Sequence, residues 1–447
     1  MSKTIRFNRG YDIPLAGAVD PSARVEIAPT KLCAVIPDDF PGFMPKTAVR
    51  EGDKVLAGTP LLYDKNQPDL KLVSPAAGVV RAIVRGERRH ILRVEIEVEG
   101  FDKVHHDVPA DADGLLRLLA GSGLGAMIRQ RPYDIVPQLG AKVRDIFVTA
   151  VSSAPLDMPQ ERYLGDEARP VLEAGAALLG KLTTGKVYVA HRPGFPYPDI
   201  AGTEDVVVEG PHPSGNAGVI ASAVAPVNKG ETIWTLDVIT LYKIGSLALK
   251  GEISTSTFVS VVGPEVSKPG IVQSTIGAQI KPIVDGRLLD DGRHKRIISG
   301  NVLTGIATGD GDDAFLHYPY RQITVIAEGD DVDEFMGWAS LSPTKLSAGR
   351  TFPLSFFKRL FRPDARINGG HRAMIMSGEY DKMIPMDIMP EYLVKAILAK
   401  DIDRMEQLGI YEVAPEDFAL AEFADTSKLP LQQIVRDGLE YVRKENS

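Results

Sequence analysis

From Gly52 to Val80 the chain reads GDKVLAGTPLLYDKNQPDLKLVSPAAGVV, and this stretch narrows the possible folds more than any other. Glycines at 52, 58 and 78 divide it into short apolar pieces rich in leucine and valine. Those pieces are too short for a helix, and Pro60, Pro68 and Pro75 would break one. What remains is a set of short strands joined by tight turns, spaced as G-D-x-V-x-x-G-x-x-L, a hairpin, then S-P-x-x-G-x-V. KVLAGTPLLY, KLVSPAAGVVRAIV and HILRVEIEV continue the habit with a further turn at Gly86, so residues 1–100 are expected to be β-rich.

This spacing resembles the barrel-sandwich hybrid of lipoyl and biotinyl domains, in which a lysine at the tip of a tight hairpin carries the swinging arm. Lys65, after Asp64, stands near that position. The hairpin YDKNQPDLKLVSP nevertheless contains Pro68 and lacks the Met-Lys-Met of biotin domains. The expectation is a repurposed scaffold with an ordinary surface lysine and no covalently bound cofactor.

At 447 residues the chain exceeds what a single core supports, and roughly two to four domains are expected. A hydrophobic content of 44% and a charged content of 25% are those of a soluble globular protein. The formal net charge of −8 argues against nucleic acid as a partner, because phosphate neutralisation needs a clustered basic face. Cys33 is the only cysteine, so neither an internal disulfide nor a set of cysteines for an iron–sulfur cluster is available. The N-terminal MSKTIRFNRGYDIPLAG has no signal-peptide core, and VIASAVAPV at 219–227 falls far short of roughly 20 residues for a span. Any membrane contact is expected through partners.

Residues 101–255 alternate between strand and helix: DIFVTAV (145–151), DEARPVLEAGAALLGKL (166–182), KVYVAH (186–191) and DVVVEG (205–210) predict a Rossmann-like α/β layer with parallel pairing. Residues 256–330 read as strand, proline-marked turn, strand, helix, then the strands RIISGNV and QITVIAEG, an order similar to a β-grasp of the soluble-ligand-binding type. From 331 to 447 the periodicity is helical, in MPEYLVKAILAKD, IDRMEQLGI and LQQIVRDGLEYVRKE. The whole is an α/β multidomain chain.

Motifs for chemistry are few. GSGLGA (121–126) fits G-x-G-x-x-G/A literally, but it follows the helical ADGLLRLLA rather than a strand and meets proline soon after, so it reads as a helix-terminating turn. His105 and His106 are adjacent and have no partner at ligand spacing; GDGDDAF (309–315) lacks the closing glutamate of a calcium loop. No metal site and no nucleophile elbow is predicted, and no catalytic residue is assigned. TFPLSFFKRLFR (351–362) sets aromatic residues beside Lys358, Arg359 and Arg362, suited to docking on a membrane protein or bilayer, or equally to packing on its own core. RQRPYDIVP (129–137), with two arginines and a tyrosine among prolines, reads by default as a rigid loop with surface arginines, and it also offers a place where a flat ligand can stack.

The order of parts, with YDIPLAG (11–17), SPAAGVV (74–80), RQRPYDIVP (129–137), LTTGKVYV (182–189), GPHPSGNAG (210–218), RIISGNVLTG (296–305), FMGWA (335–339), GEYDKMIPMDIMPEYL (378–393) and LGIYEVAPEDFAL (408–420), resembles the A subunits of the sodium-translocating NADH:quinone reductases over nearly the whole chain. The resemblance implies a peripheral subunit on the cytoplasmic face of the bacterial inner membrane, associated with the quinone-reducing end of a translocase that couples NADH oxidation to Na+ export. It implies flavins and an iron–sulfur centre in partner subunits, and ubiquinone or menaquinone as a ligand. The chain would be part of an enzyme without being catalytic alone. It departs from the family at VIASAVAPV, where histidines are usual, and at Ser152-Ser153-Ala154, where Asp-Thr-Asn is usual; EFADTSK lacks a cysteine found in many members. More distant relatives, the C subunits of the ion-translocating ferredoxin:NAD oxidoreductases and the NADH-binding flavoprotein of respiratory complex I, keep open an NADH- or flavin-binding alternative. A scaffold without ligand is a third reading.

A quinone head group is planar with two carbonyl acceptors, so its pocket needs an apolar or aromatic wall and a donor or two. Two proline-stiffened loops supply these groups: IPDDFPGFMPK (36–46) with Phe40, Phe43 and Met44, and RPYDIVP (131–137) with Arg131, Tyr133 and Val136; taken singly, each of these residues is more readily read as filling the seam between the first two domains.

Overall fold

A computed structural model of the chain describes residues 3–164, 168–309, 311–331, 345–348, 352 and 360–446. The amphipathic segment at 351–362 and FMGWA fall mostly or wholly outside the described residues.

The glycine-punctuated stretch folds as its spacing requires. Leu32–Val35, Ile91–Gly100, Ala77–Arg85 and Lys54–Val55 form a four-stranded antiparallel sheet, and Pro45–Thr47, Pro60–Asp64 and Lys71–Val73 a three-stranded one. Leu61, Leu62, Leu70, Leu72, Val80, Val94 and Ile96 are buried together between them, as expected of a barrel-sandwich hybrid.

The α/β layer is a six-stranded sheet in the order Lys3–Arg6, Glu204–Glu209, Val187–His191, Asp145–Ala150, Ile233–Asp237, Arg129–Arg131, parallel except for the last. Helices Ala168–Gly180 and Val238–Lys250 pack on each other through Gly175 and Gly245, where an added Cβ would strike the facing backbone. The third sheet runs Ile306–Thr308, Lys295–Ser299, Gln322–Ala327, Ser256–Val262, Gly270–Thr275, Val25–Ile27, and a short helix, Lys281–Val284, follows Gly270–Thr275 in the chain. Its central pair, Ser256–Val262 and Gln322–Ala327, is parallel and flanked by antiparallel partners, which is the β-grasp arrangement. Lys3–Arg6 and Val25–Ile27 thus lie within the first hundred residues yet pair outside the barrel. Ile5 helps cover Val206 and Val208, which the strand Glu204–Glu209 would otherwise leave open at the sheet edge.

The C-terminal region is helical: Glu379–Met383, Pro390–Ala399, Ile402–Gln407, Ala419–Ala424 and Leu431–Glu445. The last helix buries Leu431, Ile434, Val435, Leu439 and Val442 on one stripe and places Arg443 and Lys444 in its final turn, where cations meet the negative end of the helix dipole. Its core also takes in Ile13, Leu15 and Val219, so the helices close over the α/β layer.

Candidate functional site

The barrel, the α/β layer and the β-grasp meet at a small, mostly apolar cleft of about 60 Å³. Its walls come from Ala34–Ile36 and Leu72–Pro75 of the barrel, Ser122–Leu124 and Met127 of the α/β layer, and Ile276, Gly277, Leu316 and Tyr318 of the β-grasp. Phe40 and Tyr318 stack at 5.1 Å with nearly parallel rings, and the Arg129 guanidinium lies 5.8 and 5.5 Å from their centroids. Such a stack fixes an aromatic wall whose electron-rich faces are already turned to a cation.

Asp39, at the end of the 3-10 turn Pro37–Asp39, is the one carboxylate in the cleft lining among the described residues. Its Oδ1 lies 2.7 Å from Nδ1 of His317, its Oδ2 accepts the Tyr318 N–H at 2.8 Å, and its own carbonyl accepts from Arg129 Nη2 at 2.6 Å. Burial pushes the Asp39 carboxyl above the usual carboxylate range, against the opposing pull of His317 and Arg129. The site therefore joins a flat apolar wall to a group able to hold a proton.

Comparison with known proteins assigns the scaffold around this cleft. Residues 5–99 match the family model described as NqrA N-terminal barrel-sandwich hybrid domain, 110–253 the NqrA second alpha/beta domain, and 258–309 the NQRA C-terminal domain. The chain is 34% identical over 450 residues to the A subunit of the Na(+)-translocating NADH-quinone reductase of Vibrio anguillarum, covering 99% of this chain and 100% of that one. The protein of the same name from Saccharophagus degradans is 34% identical over 452 residues at the same coverage. The chain belongs to the NqrA family.

Among solved structures, an NAD+-reducing [NiFe]-hydrogenase in the H2-reduced state aligns with a TM-score of 0.39 at 14% identity, over 75% of this chain and 61% of that one. That likeness is too slight to carry any argument. Among the described residues no helix is long and apolar enough to cross a membrane, and no group of three or more His, Cys, Asp or Glu side chains is placed to hold a metal ion.

Within the chain the two proline-stiffened loops do meet, Val136 N–H donating to the Pro41 carbonyl at 2.8 Å, but their side chains part company. Phe40 reaches the cleft; Phe43 and Val136 are buried beside it in the barrel core. Met44 is 48% exposed, on the outer side. Arg131, 1% exposed, donates to Asp417 (3.2 Å), Glu416 (3.1 Å) and the Glu412 carbonyl (3.2 Å), so its cation binds the helical region to the α/β layer. Tyr133 packs edge-on to Tyr411, with ring centroids 6.2 Å apart. Asp39, His317 and Tyr318 carry no signal in the sequence, since 278 residues separate Asp39 from His317 and only the tertiary fold unites them.

GSGLGA ends the helix Ala112–Gly121, and Gly123, at φ +82°, turns the backbone so closely over Val73 that a Cβ would lie 2.8 Å from that side chain. The place where a doubly wound sheet takes a nucleotide is elsewhere, at the carboxyl ends of the strands flanking the reversal of strand order, here Asp145–Ala150 and Ile233–Asp237. That crevice is filled from the β-grasp. Arg321 pairs with Asp237, and Gln322 Nε2 donates to the Pro155 carbonyl at 3.0 Å. Burial alone would raise the Asp237 carboxyl, but Arg321 holds it below the usual range. Asp237, which also caps the helix Val238–Lys250, is thus engaged by a guanidinium within the same chain.

Proposed function

We propose that this chain is the A subunit of a sodium-translocating NADH:quinone reductase: a peripheral component on the cytoplasmic face of the bacterial inner membrane, acting at the quinone-reducing end and carrying no redox centre of its own. The observation that carries this reading is the end-to-end match, 34% identity over 450 residues with no part of the relative left uncovered. Flavins and an iron–sulfur centre then belong to partner subunits. Electrons from NADH pass through those subunits and reduce a quinone whose head group lies in the junction cleft, its ring along the Phe40 and Tyr318 wall. Phe43 and Val136 support that wall from the barrel core. Met44, Arg131 and Tyr133 stand outside the cleft lining and act, in this reading, on the scaffold. The filled crevice at the strand reversal weighs against the NADH- or flavin-binding alternative.

Deleting the gene for this chain tests the proposal. Sodium-coupled quinone reduction by the membranes should be lost, while NADH oxidation by an artificial acceptor persists wherever the remaining subunits assemble. Equal loss of both activities in an assembled remainder would place the chain at electron entry instead.

A further inference from the structure

We propose that Asp39 and His317 form the proton relay for quinone reduction in the junction cleft, Asp39 giving protons to the quinone oxygens and His317 returning them from solvent. The relay rests on the reading of the cleft as the quinone site. The geometry supplies three requirements of such a path. The donor must reach the ligand, and Asp39 is part of the cleft lining. It must be screened from bulk water so that its proton is not simply exchanged, and its side chain is 4% exposed. It must also have a route for recharging, and His317, 2.7 Å away and 18% exposed, links it to the surface.

The step balances as quinone plus two electrons plus two protons giving quinol, with the electrons arriving from a flavin of a partner subunit that NADH has reduced. At each transfer the Asp39 O–H bond breaks as a quinone O–H bond forms. The carboxylate left behind takes the Nδ1 proton of His317 while its Nε2 accepts a proton from solvent, and the ring turns over to bring an N–H back to Asp39 before the next transfer. Two such cycles make one quinol.

The other groups facing Asp39 are poorly suited to the task. Arg129 has only N–H donors and no acceptor through which a proton could be relayed. The Tyr318 hydroxyl donates to the Met127 carbonyl at 2.6 Å and that of Tyr320 to the Thr304 carbonyl; burial pushes both phenols up to about 12. Asp38, next in sequence, turns outward to His90 at 2.9 Å. Among the described residues Asp39 alone combines a lining position, a histidine behind it and a raised carboxyl.

The test uses the assembled reductase for turnover and the full-length chain for binding of a short-chain ubiquinone. Asp39→Asn keeps an acceptor for the Tyr318 N–H but has no proton to give. It should bind ubiquinone nearly as the parent does and slow NADH:ubiquinone turnover by about 10²-fold, the scale of general-acid contributions. Asp39→Glu should recover part of the rate. His317→Gln should slow turnover by about 10-fold or more, and added imidazole should restore part of it. Asp39→Asn or His317→Gln turning over like the parent would overturn the relay; if Asp39→Asn fails to fold, the His317→Gln rate and its imidazole rescue decide. Phe40→Ala separates the underlying reading: if it leaves ubiquinone binding unchanged, the quinone lies outside the cleft whatever the relay variants do.

Discussion

Burial decides the charge state of His212 more firmly than any neighbour does. The ring is 3% exposed, its Nδ1 lies 3.1 Å from the Ser153 hydroxyl, and desolvation lowers its pKa to about 4. In the unfolded chain the same imidazole titrates near 6.5. Between those values the unfolded state holds a proton that the folded state refuses, so stability is full above about pH 6.5 and falls as the pH drops toward 4. His212→Gln should remove this contribution: the loss of unfolding free energy between about pH 7.5 and 4.5, read from urea titrations, should be about 2 to 3 kcal/mol smaller in the variant. Equal losses in the two proteins would show that His212 is protonated in the fold. The same burial limits what a sequence can reveal. Side-chain type is visible for Arg131 and Tyr133, but their partners, Asp417 and Tyr411, come from a region some 280 residues away, and no local pattern reveals a buried ion pair.

Elements are legible in proportion to the contrast they display. The helices Pro390–Ala399 and Leu431–Glu445 have one wet face and one dry face, and the barrel strands are marked off by glycine, so periodicity and turn residues locate both. The helix Val238–Lys250 and the strand Ile233–Asp237 before it give no such signal, because they are buried nearly all round and show no alternation of polarity. The hairpin from Pro60 to Val73 gains a finer reading from the structure. Asp64, 1% exposed, accepts the N–H groups of Met44 (2.6 Å), Asn66 (2.7 Å) and Gln67 (3.0 Å), and Gln67 bridges to the Pro137 carbonyl and the Leu139 N–H. A turn pinned to the body in this way does not present Lys65 on a free arm. The intact mass of the protein from its native membrane should equal that of the polypeptide at Lys65; a lipoyl or biotinyl increment mapped to that residue would contradict this.

At the scale of the molecule, the N-terminal segment laces the parts together. Lys3–Arg6 joins the α/β sheet, Ile13 and Leu15 enter the helical core, Val19 the core of the α/β layer, Val25–Ile27 the β-grasp sheet, and Leu32–Val35 the barrel. The order of domains is readable in the sequence because each domain is built mainly from contiguous chain; the lacing is not, since it pairs Lys3–Arg6 with a strand two hundred residues on. Lacing of this kind couples the unfolding of the parts. Leu15, 4% exposed, belongs to the helical core, while the backbone around it bonds to Phe361 on one side and, through Gly17, to Gly263 on the other. Loosening it should therefore loosen several parts at once. Leu15→Ala deletes a buried side chain and should lower the unfolding free energy by about 2 to 5 kcal/mol. If the lacing couples the domains, the heat-unfolding transition of the variant stays single and moves down as a whole; a second transition that moves while the first holds its place would mean that the C-terminal helices unfold independently of the sheets.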